Sequence, residues 1–531
     1  MRIKIRYFFK LLTQIIPVFL VLSCSVNQEQ TNTDEKVNVL LGQMTIDEKI
    51  GQMTQICFSM ITEGRGKKLV LDKKAARDAI LNYHVGSFLS GTGSEQEWAS
   101  FITELQKIAV EETRLGIPLI IGIDHIHGAN YVNEGVIFPH NITLSCSFNK
   151  NLVKETAELT AMQTGRLGLH WNFAPVLGIA KNPYWPRFYE TYGEDPHVCG
   201  VLGSTFMDAY QTHLTKNFCL AACAKHYIGY SDPASGWDRT PADISMQLLR
   251  EQFLPSFKAC IDAGVKTIML NSGEVSGEPV HISKTLVKEM LRNEIGFDGV
   301  IVTDIKDILK VVEMHAAAPN EKEATRMSIE AGIDVSMACD AFRFSGILKE
   351  LVADGEVSES RIDQSVRRIL KLKYDLGLFD NPYPLTNKIH KPDAEKAYKL
   401  AVKAAAESMV LLKNKGLLPL KRDIRILLSG FAADSKRNLN GAWTLEWLGA
   451  EEERQPELMP TLKDVLRKQF HEIRYVETPE FETGKNVDQF SSALQSSEIV
   501  ILTLGETPYS EFKGNIRGLE LDRNQLQLCK M

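Results

Sequence analysis

Residues 290–304 read Met290-Leu-Arg-Asn-Glu-Ile-Gly-Phe-Asp-Gly-Val-Ile-Val-Thr-Asp304, and this stretch decides the fold class. It runs from the end of a predicted helix, through a glycine turn, into an apolar strand over residues 299–303. One carboxylate, Asp304, follows at the carboxyl end of that strand. In a barrel of alternating strands and helices, the carboxyl ends of the strands face the active site. The stretch therefore predicts that Asp304 lies where chemistry takes place.

The same alternation of strands and helices extends from residue 40 to about residue 375. Amphipathic segments with helical spacing separate apolar runs, which predict strands over residues 118–124, 169–175, 220–227, 265–271, 299–303 and 332–337. Strand-then-helix order indicates a parallel sheet covered by helices. The span exceeds the roughly 250 residues that a (β/α)8 barrel needs. We therefore predict an α/β fold built on a TIM-type barrel with elaborated loops, irregular where its remaining strands are hard to place.

A second unit follows the barrel. Two prolines and several turn formers at residues 380–387 (DNPYPLTN) predict a linker. The α/β alternation then resumes, which indicates an α/β sandwich domain with a doubly wound sheet. Its elements are predicted at residues 394–406, 424–429, 462–468, 473–476 and 498–504. Three strands make a small sheet for such a domain, so we expect the domain to be incomplete and the chain truncated. The predicted boundaries are 37–380 for the barrel, 381–393 for the linker and 394–531 for the second domain.

The N-terminus has the pattern of an export signal. Four basic residues within the first ten precede an apolar run over residues 11–22, which is too short to span a bilayer. The run ends in Leu20-Val-Leu-Ser-Cys24, which resembles a bacterial lipobox. We predict a lipoprotein-type signal peptide over residues 1–24, lipidation of Cys24 and a polar tether over residues 25–36. The expected location is the periplasm or the outer membrane and cell surface; secretory cleavage beside an incidental cysteine is the alternative.

Composition argues against a nucleic acid or anionic membrane partner and against a structural metal. A net charge of −6 gives no electrostatic reason to expect a nucleic acid partner, or an anionic membrane surface apart from the lipid anchor. Of the nine cysteines, none lies in a C-x-x-C pair or in a Cys/His cluster with zinc spacing. We therefore predict no structural metal and no essential disulfide.

Polar residues follow several other predicted strands. Asp124 ends the run Ile120-Ile-Gly-Ile-Asp124, and Lys225-His226 lies near the end of the 220–227 strand. Arg187 lies in the segment that follows the 169–175 strand. Each has a structural alternative. Asp124 could bond local backbone at a turn, and Lys225-His226 could be a surface turn or a satisfied structural pair. Arg187 could form an ordinary ion pair with Glu190 or Glu194. Asp304 could likewise only cap a helix starting at the next residue.

In their order along the chain, these motifs resemble glycoside hydrolase family 3, a family of retaining exo-acting β-glycosidases. The resemblance covers nearly the whole chain from residue 40. It implies that Asp304 is the nucleophile, that no cofactor is needed and that the partner is a carbohydrate. Carboxylates accept hydrogen bonds from sugar hydroxyls, while arginine, lysine and histidine donate them. The residues implied to bind the sugar are Asp124, Arg187, Lys225 and His226, with Met269 packed near its ring.

The proton donor is implied to come from the second domain. The segment Gly505-Glu506-Thr-Pro-Tyr-Ser-Glu511 resembles the loop by which two-domain members deliver the acid/base to the barrel. The matching carboxylate is Glu511, with Glu506 as the runner-up and a solvated loop glutamate as the alternative. The loop over residues 229–239 contains no histidine, which argues against members that take the acid/base from a histidine there.

One residue departs from the family pattern. Ile305 stands where members usually have tryptophan, directly after the nucleophile. Trp447 resembles the second tryptophan that flanks the leaving sugar, although Trp443 and Trp447 could instead be core residues. Loss of one aromatic wall predicts weaker or broader leaving-group selectivity.

The resemblance therefore implies an exo-β-glucosidase that releases terminal non-reducing β-D-glucosyl residues with retention. β-Xylosidase specificity is one alternative. Another is a truncated, catalytically impaired product that binds a sugar. A third is a barrel aldolase with Lys225 as a Schiff base, which would leave Asp304 and the signal peptide unexplained.

Overall fold

The computed structural model describes residues 33–64, 69–339, 342–456 and 459–531. Eight parallel strands form its main sheet: β1 (Thr54–Cys57), β2 (Ser87–Leu89), β3 (Ile120–Ile123), β4 (Trp171–Asn172), β5 (Ala221–Tyr227), β6 (Thr267–Leu270), β7 (Val300–Val302) and β8 (Ser336–Cys339). Their spatial order is β8-β1-β2-β3-β4-β5-β6-β7. A parallel bridge between Val302 and Val335 joins the two outer strands. The sheet therefore closes, and the predicted TIM-type barrel is confirmed.

Strands β1 and β2 were not identified from the sequence. They are short, with sequences TQIC and SFL, and neither carries an apolar run long enough to predict a strand. Gln55 and Ser87 are buried despite being polar. Only pairing with the neighbouring barrel strands makes these segments extended, so a local pattern could not reveal them.

Helices cover the outside of the barrel. The longer ones span residues 33–43, then Ile46–Gln52, Glu95–Glu111, Lys150–Arg166, Pro196–Tyr210, Leu254–Asp262, Lys284–Glu294, Asp307–Glu313, Glu321–Ala331, Arg343–Ala353 and Glu359–Asp375; shorter ones span Lys73–Arg77, Asp78–Asn82, Asn141–Ser145, Met246–Leu248 and Leu249–Phe253. Local sequence sets several of their starts. Ser94 and Glu97 form a capping box, and Asp195 accepts hydrogen bonds from the backbone of His197 and Val198.

The stretch at 290–304 folds as predicted. The helix Lys284–Glu294 ends before Gly296, whose φ of +81° is a left-handed conformation that glycine adopts without strain. A Cβ atom at residue 299 would lie 2.3 Å from the carbonyl oxygen of Lys266. Only glycine, which has no Cβ, therefore fits at this position. Strand β7 is fully buried. Asp304 consequently emerges at the carboxyl end of the barrel.

The second unit contains a three-stranded parallel sheet of β9 (Arg425–Gly430), β10 (Glu472–Tyr475) and β11 (Ile499–Thr503), in the order β10-β9-β11. Its helices are Lys436–Asn440, Leu462–Gln469, Val487–Ser496 and Arg523–Lys530. The predicted α/β second domain is thus present. The sequence also assigned the helix Ala394–Glu407 to it, but this helix packs against the barrel helix Lys150–Arg166. Ala404 is buried in that contact, and Lys403 forms an ion pair with Glu155 at 3.1 Å.

The N-terminal predictions fall mostly outside the described residues. The signal peptide, Cys24 and residues 25–32 of the predicted tether all lie there. Residues 33–36, predicted to be part of that tether, instead belong to the helix 33–43. This helix forms because Val37 and Leu41, four positions apart, are both buried in the main core. Across the ranges described above, no helix is both long and apolar enough to cross a membrane.

A disulfide joins Cys57 at the end of β1 to Cys339 at the end of β8. The sequence predicted no essential disulfide, and 282 positions separate the two cysteines. Because β1 and β8 pair in the closed barrel, the fold alone brings these thiols together. Four further cysteines, at 199, 219, 223 and 260, are buried and free.

Lys373 is buried at the opposite end of the barrel. Its ammonium nitrogen donates to Gln52 Oε1 at 2.5 Å and to the carbonyl oxygens of Gly86 and Pro118 at 3.1 and 2.7 Å. Burial lowers the pKa of Lys373 to about 7. Between pH 7 and the ordinary lysine pKa near 10.4, the unfolded chain holds a proton that the folded chain does not, so stability rises with pH across that window.

We expect Lys373→Met to lower the free energy of unfolding by about 2–4 kcal/mol, because buried acceptors lose their donor. The rise in stability between pH 7 and 9 should also shrink. Urea unfolding at pH 7 and pH 9 measures both effects. Lys371→Met on the same helix is the matched control, and an equal loss of stability in that variant would contradict this role for Lys373.

Candidate active site

The carboxyl ends of the barrel strands and two loops of the second unit enclose a cavity of about 610 Å³. It contains every primary site residue that the sequence predicted: Asp124, Arg187, Lys225, His226, Met269, Asp304, Trp447 and Glu511. The runner-up carboxylate, Glu506, does not line the cavity and is exposed. Of the two glutamates, Glu511, which the resemblance favoured over Glu506, is the one that lines the cavity.

Asp304 lies among positive groups. Its Oδ2 atom is 3.6 Å from Arg239 Nη2 and 3.9 Å from Arg187 Nη1. Burial by itself raises the pKa of Asp304, but the positive charges of Arg239, Lys310 and Arg187 outweigh burial and hold the pKa well below its usual range. This carboxylate is therefore ionised at neutral pH.

Asp304 is not the cap of the following helix. That helix begins at Asp307, after Lys306 with a φ of +57°. The carboxylate of Asp304 instead accepts from the Ile305 amide at 2.7 Å and from the Ser272 hydroxyl at 3.2 Å. These two bonds fix the side chain at the rigid end of β7 while it remains accessible to the cavity.

Glu511 faces the same two guanidinium groups. Its carboxylate oxygens lie 2.8 Å from Arg239 Nη2 and 3.7 Å from Arg187 Nη1. Burial raises the pKa of Glu511; the two arginines oppose this shift, and the charge of Asp304 adds to it. Because Asp304 and Glu511 both approach one guanidinium nitrogen, their carboxyl groups must be close. Retaining glycosidases need such a pair about 5–5.5 Å apart.

Arg187 forms the ion pair with Glu190 that the sequence left open, and also faces the cavity. Its Nε and Nη2 atoms donate to the two carboxylate oxygens of Glu190, both at 2.8 Å. Its remaining nitrogen, Nη1, is buried without a hydrogen-bond partner among the described residues. An unsatisfied buried donor is costly, so this nitrogen is poised to bind an oxygen of a ligand.

The inner end of the cavity combines a charged pair with aromatic surface. Lys225 Nζ donates to Asp124 Oδ1 at 2.6 Å. Lys225 and His226 are both buried, so this pair is not a surface turn. Trp443 lies beside them, with its ring centroid 5.7 Å from Lys225 Nζ and 5.9 Å from the Arg187 guanidinium carbon. Burial, followed by the charges of Arg187 and Lys225, lowers the pKa of His226, whose imidazole is therefore neutral.

Two loops carry second-unit residues into the barrel. In the loop 440–449, the backbone of Trp443 and Leu445 exchanges hydrogen bonds with Asn130, each at 2.7 Å. In the loop 509–516, Asn515 Oδ1 accepts from the Asp238 amide at 2.8 Å. Glu511 itself has a φ of +50°, a strained value for a residue other than glycine. These cross-links hold Glu511 and the two tryptophans against the barrel.

Sequence reasoning missed Arg239 as a site residue and left Trp443 as a possible core residue. Arg239 lies in the loop after β5, directly beside Asp238, with which it forms a buried ion pair. A charged Asp-Arg pair in a loop that leaves the carboxyl end of a barrel strand was the available signal. For Trp443, nothing in the sequence distinguishes a packed ring from one that lines a cavity.

Arg239 contacts both carboxylates, and its removal should shift the whole pH profile. In Arg239→Met, the pKa values of Asp304 and Glu511 both lose a lowering influence and rise. The roles implied by the resemblance need ionised Asp304 and protonated Glu511, so activity should then move to higher pH, by about one unit or more at each limb of the profile. The measurement is the pH dependence of kcat/KM. Arg517→Met is the control. Arg517 is exposed, and its guanidinium lies over the ring of Trp237, so the substitution should leave both limbs of the pH profile in place.

Two family descriptions match the chain: the glycosyl hydrolase family 3 N terminal domain over residues 45–372, and the family 3 C-terminal domain over residues 409–531. The barrel, the second α/β unit and the cavity between them agree with that match. The chain belongs to glycosyl hydrolase family 3.

The individual proteins of known name that are similar to this chain include three beta-glucosidases. The chain is 40% identical to the lysosomal beta glucosidase of Dictyostelium discoideum, across 95% of this chain and 66% of that protein. It is 32% identical to the periplasmic beta-glucosidase of Salmonella typhimurium, across 77% and 52%. The crystal structure of beta-glucosidase from Listeria innocua in complex with glucose superimposes with a TM-score of 0.81 at 32% identity, covering 94% of this chain and 67% of that one. The chain thus spans about two thirds or less of the length of these two curated relatives.

Proposed function

We propose that this chain is a retaining exo-acting β-glucosidase, with Asp304 as nucleophile and Glu511 as acid/base. The observation that carries the proposal is the pair of buried carboxylates that share Arg239 and Arg187 at the carboxyl end of the barrel. Family membership and the β-glucosidase relatives support the substrate class. A buried inner end lined by hydrogen-bonding groups suits one terminal sugar, which is the requirement for exo action.

In the proposed reaction, Asp304 attacks the anomeric carbon while Glu511 donates its proton to the leaving oxygen. The bond from the anomeric carbon to that oxygen breaks, and a covalent glycosyl-enzyme forms. Glu511, now ionised, then takes a proton from water as the water oxygen attacks the same carbon. Two inversions give net retention, and Asp304 is released as a carboxylate.

The protonation states support these roles. Asp304 is held ionised by the surrounding positive charges, whereas burial favours the protonated form of Glu511. Two carboxyl groups whose environments push their pKa values apart form an acid and a nucleophile at one pH. In this proposal Asp124, Arg187, Lys225 and His226 bind sugar hydroxyls, and Met269 packs near the sugar ring; all five line the cavity. Trp447 would contact the leaving group.

The direct test is mass spectrometry of the intact chain after incubation with 2,4-dinitrophenyl 2-deoxy-2-fluoro-β-glucoside, followed by peptide mapping. The dinitrophenolate leaving group needs little help from an acid, so labelling tests the barrel end of the site independently of Glu511. We expect one fluoroglucosyl group on Asp304. A folded protein that remains unlabelled would contradict the proposal and favour a product that only binds a sugar.

We further propose that the protein is exported and attached to a membrane through lipidated Cys24. The lipobox-like sequence around Cys24 and the periplasmic relative support this location. In a bacterial host, Cys24→Ser should abolish incorporation of radiolabelled palmitate and release the protein from the membrane fraction. Cys146→Ser, at an exposed cysteine of the barrel, is the control. Equal labelling of wild type and Cys24→Ser would contradict lipidation at this residue.

A further inference from the structure

The two halves of the cavity differ in chemistry. The half nearest β5 and β7 carries the charged groups described above, whereas the half that opens to solvent is formed largely by apolar side chains. These are Ile305, Met314, Leu445, Trp447 and Phe512. Ile305, Met314 and Phe512 are 37%, 53% and 51% exposed, so they present apolar surface at the cavity mouth. We call these five residues the outer wall.

The outer wall is built from three different parts of the chain. Ile305 follows the nucleophile directly, and Met314 ends the helix that begins at Asp307. Phe512 follows Glu511, and its ring packs against Trp447 with centroids 5.5 Å apart at an angle of 48°. The apolar groups therefore surround the path along which a leaving group departs from Asp304 and Glu511.

Three polar side chains near the outer wall, those of Lys310, Thr92 and Glu446, are already engaged within the protein. Lys310 Nζ donates to the Ile305 carbonyl at 2.7 Å and to Asp307 at 2.6 Å. The Thr92 hydroxyl donates to the carbonyl of Leu445, and Glu446 forms an ion pair with Arg454. A second sugar would bring several hydroxyls that need partners when they leave water. Because these groups are engaged, the outer wall favours a leaving group that needs no hydrogen-bond partners.

We propose that the outer wall binds an apolar aglycone, so that the substrates are glucosides of apolar alcohols or phenols rather than oligosaccharides. The inference rests on the proposed hydrolase function and specifies its leaving group. Met314 adapts to varied shapes because its side chain is unbranched and flexible. Trp447 and Phe512 supply aromatic area. The reaction is unchanged: the aglycone oxygen takes the proton of Glu511 and leaves as the alcohol.

The test is a homologous series of methyl, butyl and octyl β-glucosides, compared with cellobiose and laminaribiose. The alkyl leaving groups have nearly the same basicity, so differences in kcat/KM report contact with the outer wall. Each methylene that becomes buried should raise kcat/KM about fourfold over the first few carbons. Calorimetric binding of the matching alkyl 1-thio-β-glucosides measures the same dependence without turnover.

Ile305→Ser and Met314→Gln remove apolar surface and should flatten the dependence on chain length. Met409→Gln, at a methionine that is 78% exposed and does not line the cavity, is the matched control and should keep the full dependence. If affinity is flat across the series, or if the disaccharides are hydrolysed more than tenfold faster than octyl glucoside, the inference is overturned. If the inference is overturned but the fluoroglucoside still labels Asp304, the hydrolase proposal stands. Absence of labelling overturns both.

Discussion

Replacing Asp304 with asparagine is expected to lower kcat for β-glucoside hydrolysis by about 10,000-fold or more, because no glycosyl-enzyme can form without the carboxylate. The amide keeps nearly the same shape and can still accept from the Ile305 amide and from Ser272. The fold should therefore be preserved. Initial rates with 4-nitrophenyl β-glucoside, together with the fluoroglucoside labelling experiment, measure the loss.

Asp298→Asn is the matched control for this substitution. Asp298 lies at the opposite end of β7, and its side chain is 82% exposed. The same chemical change should leave kcat within about twofold, as is usual for surface positions. If Asp304→Asn kept more than a hundredth of wild-type activity and still released glucose with retention, Asp304 could not be the nucleophile.

The second large effect is expected at Glu511. In Glu511→Gln, glucosides with poor leaving groups should lose about 100- to 10,000-fold in kcat, the usual contribution of general acid catalysis. For 2,4-dinitrophenyl β-glucoside, formation of the glycosyl-enzyme should be almost unaffected, since its leaving group needs no proton. The basic limb of the pH profile should also disappear. It arises because activity falls as pH rises through the raised pKa of Glu511.

Added azide gives an independent readout for Glu511. It can attack the glycosyl-enzyme without a general base, so the variant should recover turnover and release β-glucosyl azide. Glu506→Gln is the control in the same loop, because Glu506 is exposed and does not line the cavity. Azide rescue in Glu506→Gln but not in Glu511→Gln would contradict the assignment and indicate Glu506 as the acid/base.

The residues that the sequence located most securely are those whose local pattern dictates their position. Asp304 could be predicted because a glycine turn, a buried strand and a carboxylate follow one another in fifteen residues. Asp124 and Lys225-His226 follow the same logic at other strand ends. Strands β1 and β2 could not be predicted, because partners more than thirty residues away hold them in place.

The opposing protonation of Asp304 and Glu511 also lies beyond sequence patterns. Arg239 and Arg187 hold Asp304 ionised, whereas burial and the charge of Asp304 raise the pKa of Glu511 against the same two arginines. These groups meet only after the loop following β5 contacts the second unit. Charge interactions at 3–4 Å in a buried site outweigh ordinary side-chain preferences. No spacing along the chain encodes such a distance.

By itself, the sequence determined the alternating α/β fold, the barrel class and the strand ends that carry polar groups. These features follow from hydrophobic periodicity and turn chemistry over short segments, and the chain carries both in its local order. Tertiary structure alone decided that Arg239 joins the site, that Cys57 meets Cys339 and that the outer wall is apolar. Each of these depends on residues far apart in sequence that become neighbours only when the barrel closes and the second unit docks on it.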